Sequence, residues 1–244
     1  MSKLNFVNLA VLLKIKFKLL AKNFSAIVGS VLAIFFSIVF KNTLSDANFA
    51  GQKGQFILTM TVLFNAVVSA IMMVSIPMAE EKEKKSLKLL VTSTIGENEY
   101  LLATIIPPFI IIMITNFILP MLSGVKLNVG SYWMYILITF ILTLISMLIG
   151  LVVGIASRKI SDTSYFTVPL ILPLILIPQF GSFSDVFKRI SEYLYTGILY
   201  KALEKVVSLG KLNLNAKAII ILIIEVVIFW IIFAFLYKKK GLKS

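Results

Sequence analysis

Residues 77–103 read PMAEEKEKKSLKLLVTSTIGENEYLLA, a dense charged cassette set between two long apolar runs. Glu80, Glu81 and Glu83 come first and Lys84, Lys85 and Lys88 follow, an order that suits the positive start and negative end of a short helix. Glu80 with Lys84 and Glu81 with Lys85 add i,i+4 pairs in the favourable direction. Leu87, Leu90 and Val91 form a small apolar knob beside these charges, so the predicted helix lies along a surface and presses the knob into a groove. Gly96 supplies a stop.

The flanking runs define the class. Apolar residues make up 59% of the 244 residues and charged residues 14%, against roughly 45–50% and 25% in soluble domains. The apolar residues gather in runs of about 17 to 25, each long enough to cross a hydrocarbon core of about 30 Å. Six spans are predicted, over residues 24–40, 56–78, 100–122, 132–156, 164–180 and 216–237. The fold class is therefore all-α and polytopic, a single unit over residues 1–244 with no separate soluble domain.

Residues 1–23 are apolar but interrupted by lysines. On a helical projection Phe6, Leu9, Ala10, Leu13, Phe17 and Leu20 share a face, and Lys14, Lys18 and Lys22 form a stripe, which predicts an interfacial amphipathic helix. With this segment, the cassette, residues 157–163 and the tail on one side, most of the 24 Lys and Arg fall on that side. The bias predicts both termini in the cytoplasm of a multi-pass cell-membrane protein. Residues 181–215 are basic yet fall on the outer side, and their apolar residues recur at helical spacing. They predict two short helices that dip into the outer leaflet or lie on the lipid.

Cysteine and histidine are absent, which removes thiolate chemistry and the commonest metal ligand. No phosphate loop, dinucleotide-binding glycine pattern, zinc-protease motif or nucleophile elbow occurs. No enzyme activity, cofactor or metal is expected in this chain, and the net charge of +13 is read as membrane orientation rather than nucleic-acid binding. Three kinds of polar or helix-breaking residue stand inside spans. Pro169 and Pro173 interrupt the fifth, making it a candidate for the translocation path or a gate, although proline is also simply more frequent in transmembrane helices. Asn65 and Asn116 are candidate gating residues or interhelical glue. Glu225 is the only acid well inside a span; it serves a coupling ion, or lies near the headgroups, or is protonated, or pairs with Lys201 or Lys205.

Six spans, a basic amphipathic N-terminal helix and the cassette together resemble the permease subunit of ABC-2 type ABC transporters. Glu80, Glu81, Ser86, Leu87, Leu89 and Leu90 follow the family order of an acidic pair, a Ser or Thr and spaced leucines; Thr94 and Thr104 depart from the usual proline and lysine. The resemblance implies that residues 80–95 form a coupling helix, with Glu80, Glu81, Glu83, Ser86, Leu87, Leu89, Leu90 and Val91 at the contact with a separate ATP-binding subunit that holds ATP and Mg. It implies a connecting helix over 1–23, outer re-entrant helices over 181–215, and a second permease copy, identical or a sister chain. It also implies export of amphipathic or hydrophobic substrates such as peptides, drugs or lipid-like molecules, with bacterial peptide or toxin exporters as the specific match. An ion-coupled transporter or channel centred on Glu225, or a non-transporting immunity protein, is the competing expectation.

Overall fold

The computed structural model describes residues 5–49, 52–84, 96–181 and 183–240. Among these every regular element is helical. Helix α1 (Phe6–Lys22) is followed by α2 (Phe24–Thr43), a short 3-10 turn (Asp46–Phe49), α3 (Lys53–Phe64), a π turn (Asn65–Ser69) and α4 (Ala70–Glu83). Then come α5 (Glu97–Ser123), α6 (Val129–Ala156), α7 (Ile160–Phe180), α8 (Asp185–Ser191), α9 (Tyr195–Leu209) and α10 (Ala216–Lys240). Six stretches are long and apolar enough to cross a membrane: Phe24–Thr43, Lys53–Glu83, Asn98–Ser123, Val129–Ala156, Ile160–Phe180 and Ala216–Lys239. The protein is an all-α, multi-pass membrane protein.

Asparagine starts several of these helices. The Asn5, Asn23, Asn128 and Asn215 side chains accept from the backbone N–H of Val7, Ala26, Ser131 and Ala218, each satisfying a donor that the first helical turn leaves open. Asn23 closes α1 and opens α2 at once, so the chain turns from the surface into the bundle at a single residue.

The second span is the core of the bundle: 83% of its apolar window is buried, against 11% for α10. It packs most extensively on α6. Lipid is as apolar as leucine, so this contact depends on close packing rather than on expelling water. Gly150 and Gly154 of α6 provide it. A Cβ at Gly150 would sit 3.0 Å from the Ile71 carbonyl oxygen and one at Gly154 2.9 Å from Met78 Sδ.

Three differences from the sequence expectation stand out. The second span runs on to Glu83, so Glu80, Glu81 and Glu83 end a helix rather than begin one. Its 31 residues reach about 46 Å at 1.5 Å per residue and carry these charges beyond the hydrocarbon. Secondly, α7 continues unbroken through Pro169 and Pro173. Thirdly, Leu20 leaves the expected apolar face of α1 and turns with Leu12 and Lys16 to the protein, while Phe6, Ala10 and Phe17 of that face are exposed as expected. An apolar face left open at the end of a membrane bundle is what an interfacial helix presents to lipid.

Candidate functional site

Four consecutive residues at the end of α4 each reach a different part of the protein. Asn23, at the α1–α2 joint, donates through Nδ2 to Glu80 Oε2 at 3.0 Å, and Lys84 donates to Glu80 Oε1 at 2.5 Å. Glu81 Oε1 takes Lys16 Nζ of α1 at 2.5 Å, and Glu81 Oε2 takes the Tyr100 hydroxyl of α5 at 2.6 Å. Lys82 turns the other way. Its Nζ donates to the carbonyl oxygens of Gly154, Ile155 and Ser157 at 3.1, 2.7 and 3.3 Å, which are acceptors that the end of α6 leaves unused. Glu83 Oε2 accepts from the Ile160 backbone N–H at the start of α7, at 2.9 Å.

The physical reason for this arrangement is the helix end itself. Carboxylates at a C-terminus face the negative end of the dipole and are unfavourable there. Each is offset by a donor from another element, so the last turn of α4 is stable only when those elements are docked. Lys82 and the α6 C-terminus are the favourable version of the same interaction.

Lys16 is the most constrained member. It is 4% exposed, with its ammonium 4.4 Å from the centre of the Tyr100 ring. Burial pulls the ammonium below its ordinary pKa, and the Glu81 carboxylate opposes that pull. A second tie fixes the same two helices: Glu99 of α5 accepts from the backbone N–H of Asn5 at 2.6 Å and of Gly96 at 2.8 Å. The start of α1 is thereby held to the start of α5.

Of the residues singled out from the sequence, Glu80, Glu81 and Glu83 therefore gather in this hub and point back into the chain. Ser86, Leu87, Leu89, Leu90 and Val91 lie outside the described residues, as does the expected partner Lys85. Asn65 and Asn116 meet in the bundle centre. Asn65 Nδ2 donates to Asn116 Oδ1 at 2.8 Å and to the Ile112 carbonyl at 3.2 Å, while Asn65 Oδ1 accepts from Ser30 at 2.7 Å and Ser69 at 3.1 Å. The cluster is fully buried and joins α2, the π turn and α5. A Cβ on Gly29 would lie 2.5 Å from Ser69 Oγ, so only glycine lets α2 approach it.

Pro169 and Pro173 lie on the exposed face of α7. Neither has an N–H for the carbonyl four residues earlier, at Tyr165 and Pro169. Glu225 sits half-buried on α10 with Oε2 unpartnered, close to Tyr195 at the start of α9. The expected pairing with Lys201 is not made: Lys201 pairs with Glu192 at 3.2 Å.

Sequence reasoning missed Lys16, Lys82 and Tyr100. Lys16 shares a spacing of four with Leu12 and Leu20, the two buried leucines of α1, and that spacing was its only local signal. The GLVVG run of Gly150 to Gly154, a small-residue motif for close helix packing, was a second signal left unread.

A bundle of six membrane spans, with a surface helix and a charged span end that bonds four neighbouring elements, defines a multi-pass membrane protein. The profile of the ABC-2 type transporter family matches residues 8–192, well over half of the chain. The chain belongs to the ABC-2 type transporter family and is an ABC transporter permease subunit. Membership implies an ATP-binding partner subunit and a membrane. No curated protein matches the chain.

Proposed function

We propose that this chain is the permease of an ATP-driven exporter and that residues 80–95 couple it to the ATP-binding subunit, which holds ATP and Mg. Both termini and the hub then face the cytoplasm, and residues 1–244 act as one transmembrane domain. The observation that carries this reading is the hub. A partner that grips Leu87, Leu89, Leu90 and Val91 and shifts them as ATP closes its two halves pulls directly on the last turn of α4. Glu80, Glu81, Lys82 and Glu83 are bonded to α1, α5, α6 and α7, so the pull reaches these helices together. A second permease copy, identical or a sister chain, completes a central cavity beside the exposed face of α7. The carbonyls left free by Pro169 and Pro173 then meet water rather than lipid. Exposed Phe166, Val168, Leu170, Leu172 and Leu176 with few charges on that face suit amphipathic peptides, drugs or lipid-like substrates.

The test is co-expression with the ATP-binding subunit, purification through a tag on the permease, and repetition with Leu87→Asp. A charge in place of the docking knob is expected to abolish co-purification while the permease itself still elutes as a folded monodisperse species. Equal recovery of the ATPase from both samples would remove the docking role of this segment.

One observation favours a second reading. The unpartnered Glu225 Oε2 is a costly group inside a span and would suit a coupling ion. Under the exporter reading, Glu225→Gln leaves ATP-dependent transport intact, since no step of that reading passes through this carboxylate. Loss of transport with unchanged ATPase binding and hydrolysis would favour ion coupling.

A further inference from the structure

At the end of the bundle opposite the hub, a cleft of about 290 Å³ opens between α9 and the first turns of α10. Its rim is basic: Lys201 and Lys205 come from α9 and Lys217 from α10, with Asn213 and Asn215 beside them. Its floor is apolar, made by Ile198, Ala202 and Ile221.

Glu192 is the one acid among the cleft's described lining residues. Lys201 bonds it at 3.2 Å and, with the fields of Lys217 and Lys188, holds its carboxyl below the usual range. Lys217 lies 4.5 Å over the Tyr193 ring. Lys205 is exposed and makes no ion pair among the described residues. Three ammonium groups against one carboxylate leave two positive charges uncompensated. The neighbouring cleft between α8 and α9 differs: it shares Lys201 with this one, and its own lysine, Lys188, stands with two acids, Asp185 and Glu204.

A positive rim over an apolar floor matches a molecule with an anionic head and a hydrocarbon tail. Along α10 on the side of Lys217, at helical spacing from it, Ile220, Ile224 and Ile228 are all exposed, a track along which an acyl chain lies. Lysine stems cover such apolar surface while the ammonium stays at the water boundary. A free inorganic anion would use the rim and leave the floor unfilled. A zwitterionic choline head would bring its own cation against the lysines.

We propose that this cleft binds the phosphate-bearing headgroup of an anionic phospholipid, held by Lys201, Lys205 and Lys217. The site sits where α9 meets α10, so a bound lipid bridges the short helices to the last span.

The test uses the full chain in neutral maltoside detergent with equal amounts of phosphatidylglycerol and phosphatidylcholine of the same acyl chains. Bound lipid is counted by native mass spectrometry. The wild type is expected to retain phosphatidylglycerol in preference to phosphatidylcholine. The triple variant Lys201→Gln, Lys205→Gln, Lys217→Gln is expected to lose that preference, at about fivefold in affinity per lysine. A control removing equal charge from the same end, Lys126→Gln, Arg189→Gln, Lys211→Gln, is expected to keep it. Equal retention of the two lipids by the wild type, or equal losses in the two triple variants, would overturn the proposal. A third arm adds millimolar inorganic phosphate: unchanged lipid retention supports a lipid ligand, and displacement would overturn it in favour of a soluble anion.

Discussion

Glu81→Ala is expected to destabilise the permease by about 3–5 kcal/mol, the cost of removing one partner from a buried ion pair, and to stop ATP-dependent transport. The loss has two parts. Lys16 stays 4% exposed with no carboxylate to oppose its burial, and the Tyr100 hydroxyl loses the acceptor it meets at 2.6 Å. A large fall in the thermal midpoint of the detergent-purified protein checks the first claim. The transport defect alone would not separate a relay from mere support of the fold. The triple variant Lys16→Met, Glu81→Met, Tyr100→Phe separates them, because it removes the three bonded groups together and leaves neither the ammonium nor the hydroxyl without its carboxylate. Replacement of a whole buried network by apolar groups of similar volume is often close to neutral in stability. The triple variant is therefore expected to melt near the wild type and still to bind the ATPase, yet to transport poorly, since the bonds through Glu81 that join the middle of α1 and the start of α5 to the end of α4 are gone and, among the described residues, only Asn23–Glu80 remains. Normal transport by a stable triple variant would show that packing alone carries the motion.

Gly197→Ala is expected to be the most damaging single methyl group in the far half of the chain. A Cβ there would lie 2.1 Å from the Ser191 carbonyl oxygen, 2.2 Å from its Oγ and 2.7 Å from its carbonyl carbon. Two of these three atoms are backbone, so no rotamer change relieves the clash and the elbow between α8 and α9 must open. The expected cost is at or above the upper end of the about 1–3 kcal/mol typical of overpacking, read as a lower thermal midpoint. New protease sensitivity around Glu192 to Leu194 is the local signature. Gly130→Ala is the control: its Cβ would meet nothing closer than Asn128 Oδ1 at 3.7 Å. An unchanged midpoint for Gly197→Ala would mean that the elbow is looser than the structure has it.

Local features were legible in the sequence, and paired ones were not. The six spans follow from length and hydropathy, because those are properties of a single helix in lipid. The Glu80–Lys84 pair is found as expected, four residues apart on one helix. Glu81 finds Lys16 across 65 positions of sequence, and nothing in either neighbourhood announces the other. The same holds for Lys82, whose acceptors are backbone carbonyls that carry no residue signal. The end of α4 was misread for a related reason: charges that look solvated in a window of ten residues extended the helix because other elements supply their partners. The prolines of α7 were read as breaks, but their free carbonyls lie on a face that this chain does not cover, where an uninterrupted helix survives.

The π turn at Asn65–Ser69 fixes the angular phase between the two polar clusters of the second span. Each residue of an α-helix turns the chain by about 100°, and a π turn accommodates extra chain within a helix that otherwise keeps its course. Asn65 faces Ser30 and Asn116 while Glu81 faces Lys16 and Tyr100 only because the number of residues between them matches the rotation required. Deleting one residue from this segment would leave its hydropathy almost untouched and swing the carboxylate of Glu81 to another side of the bundle. Between these clusters, chain length is constrained more tightly than side-chain identity.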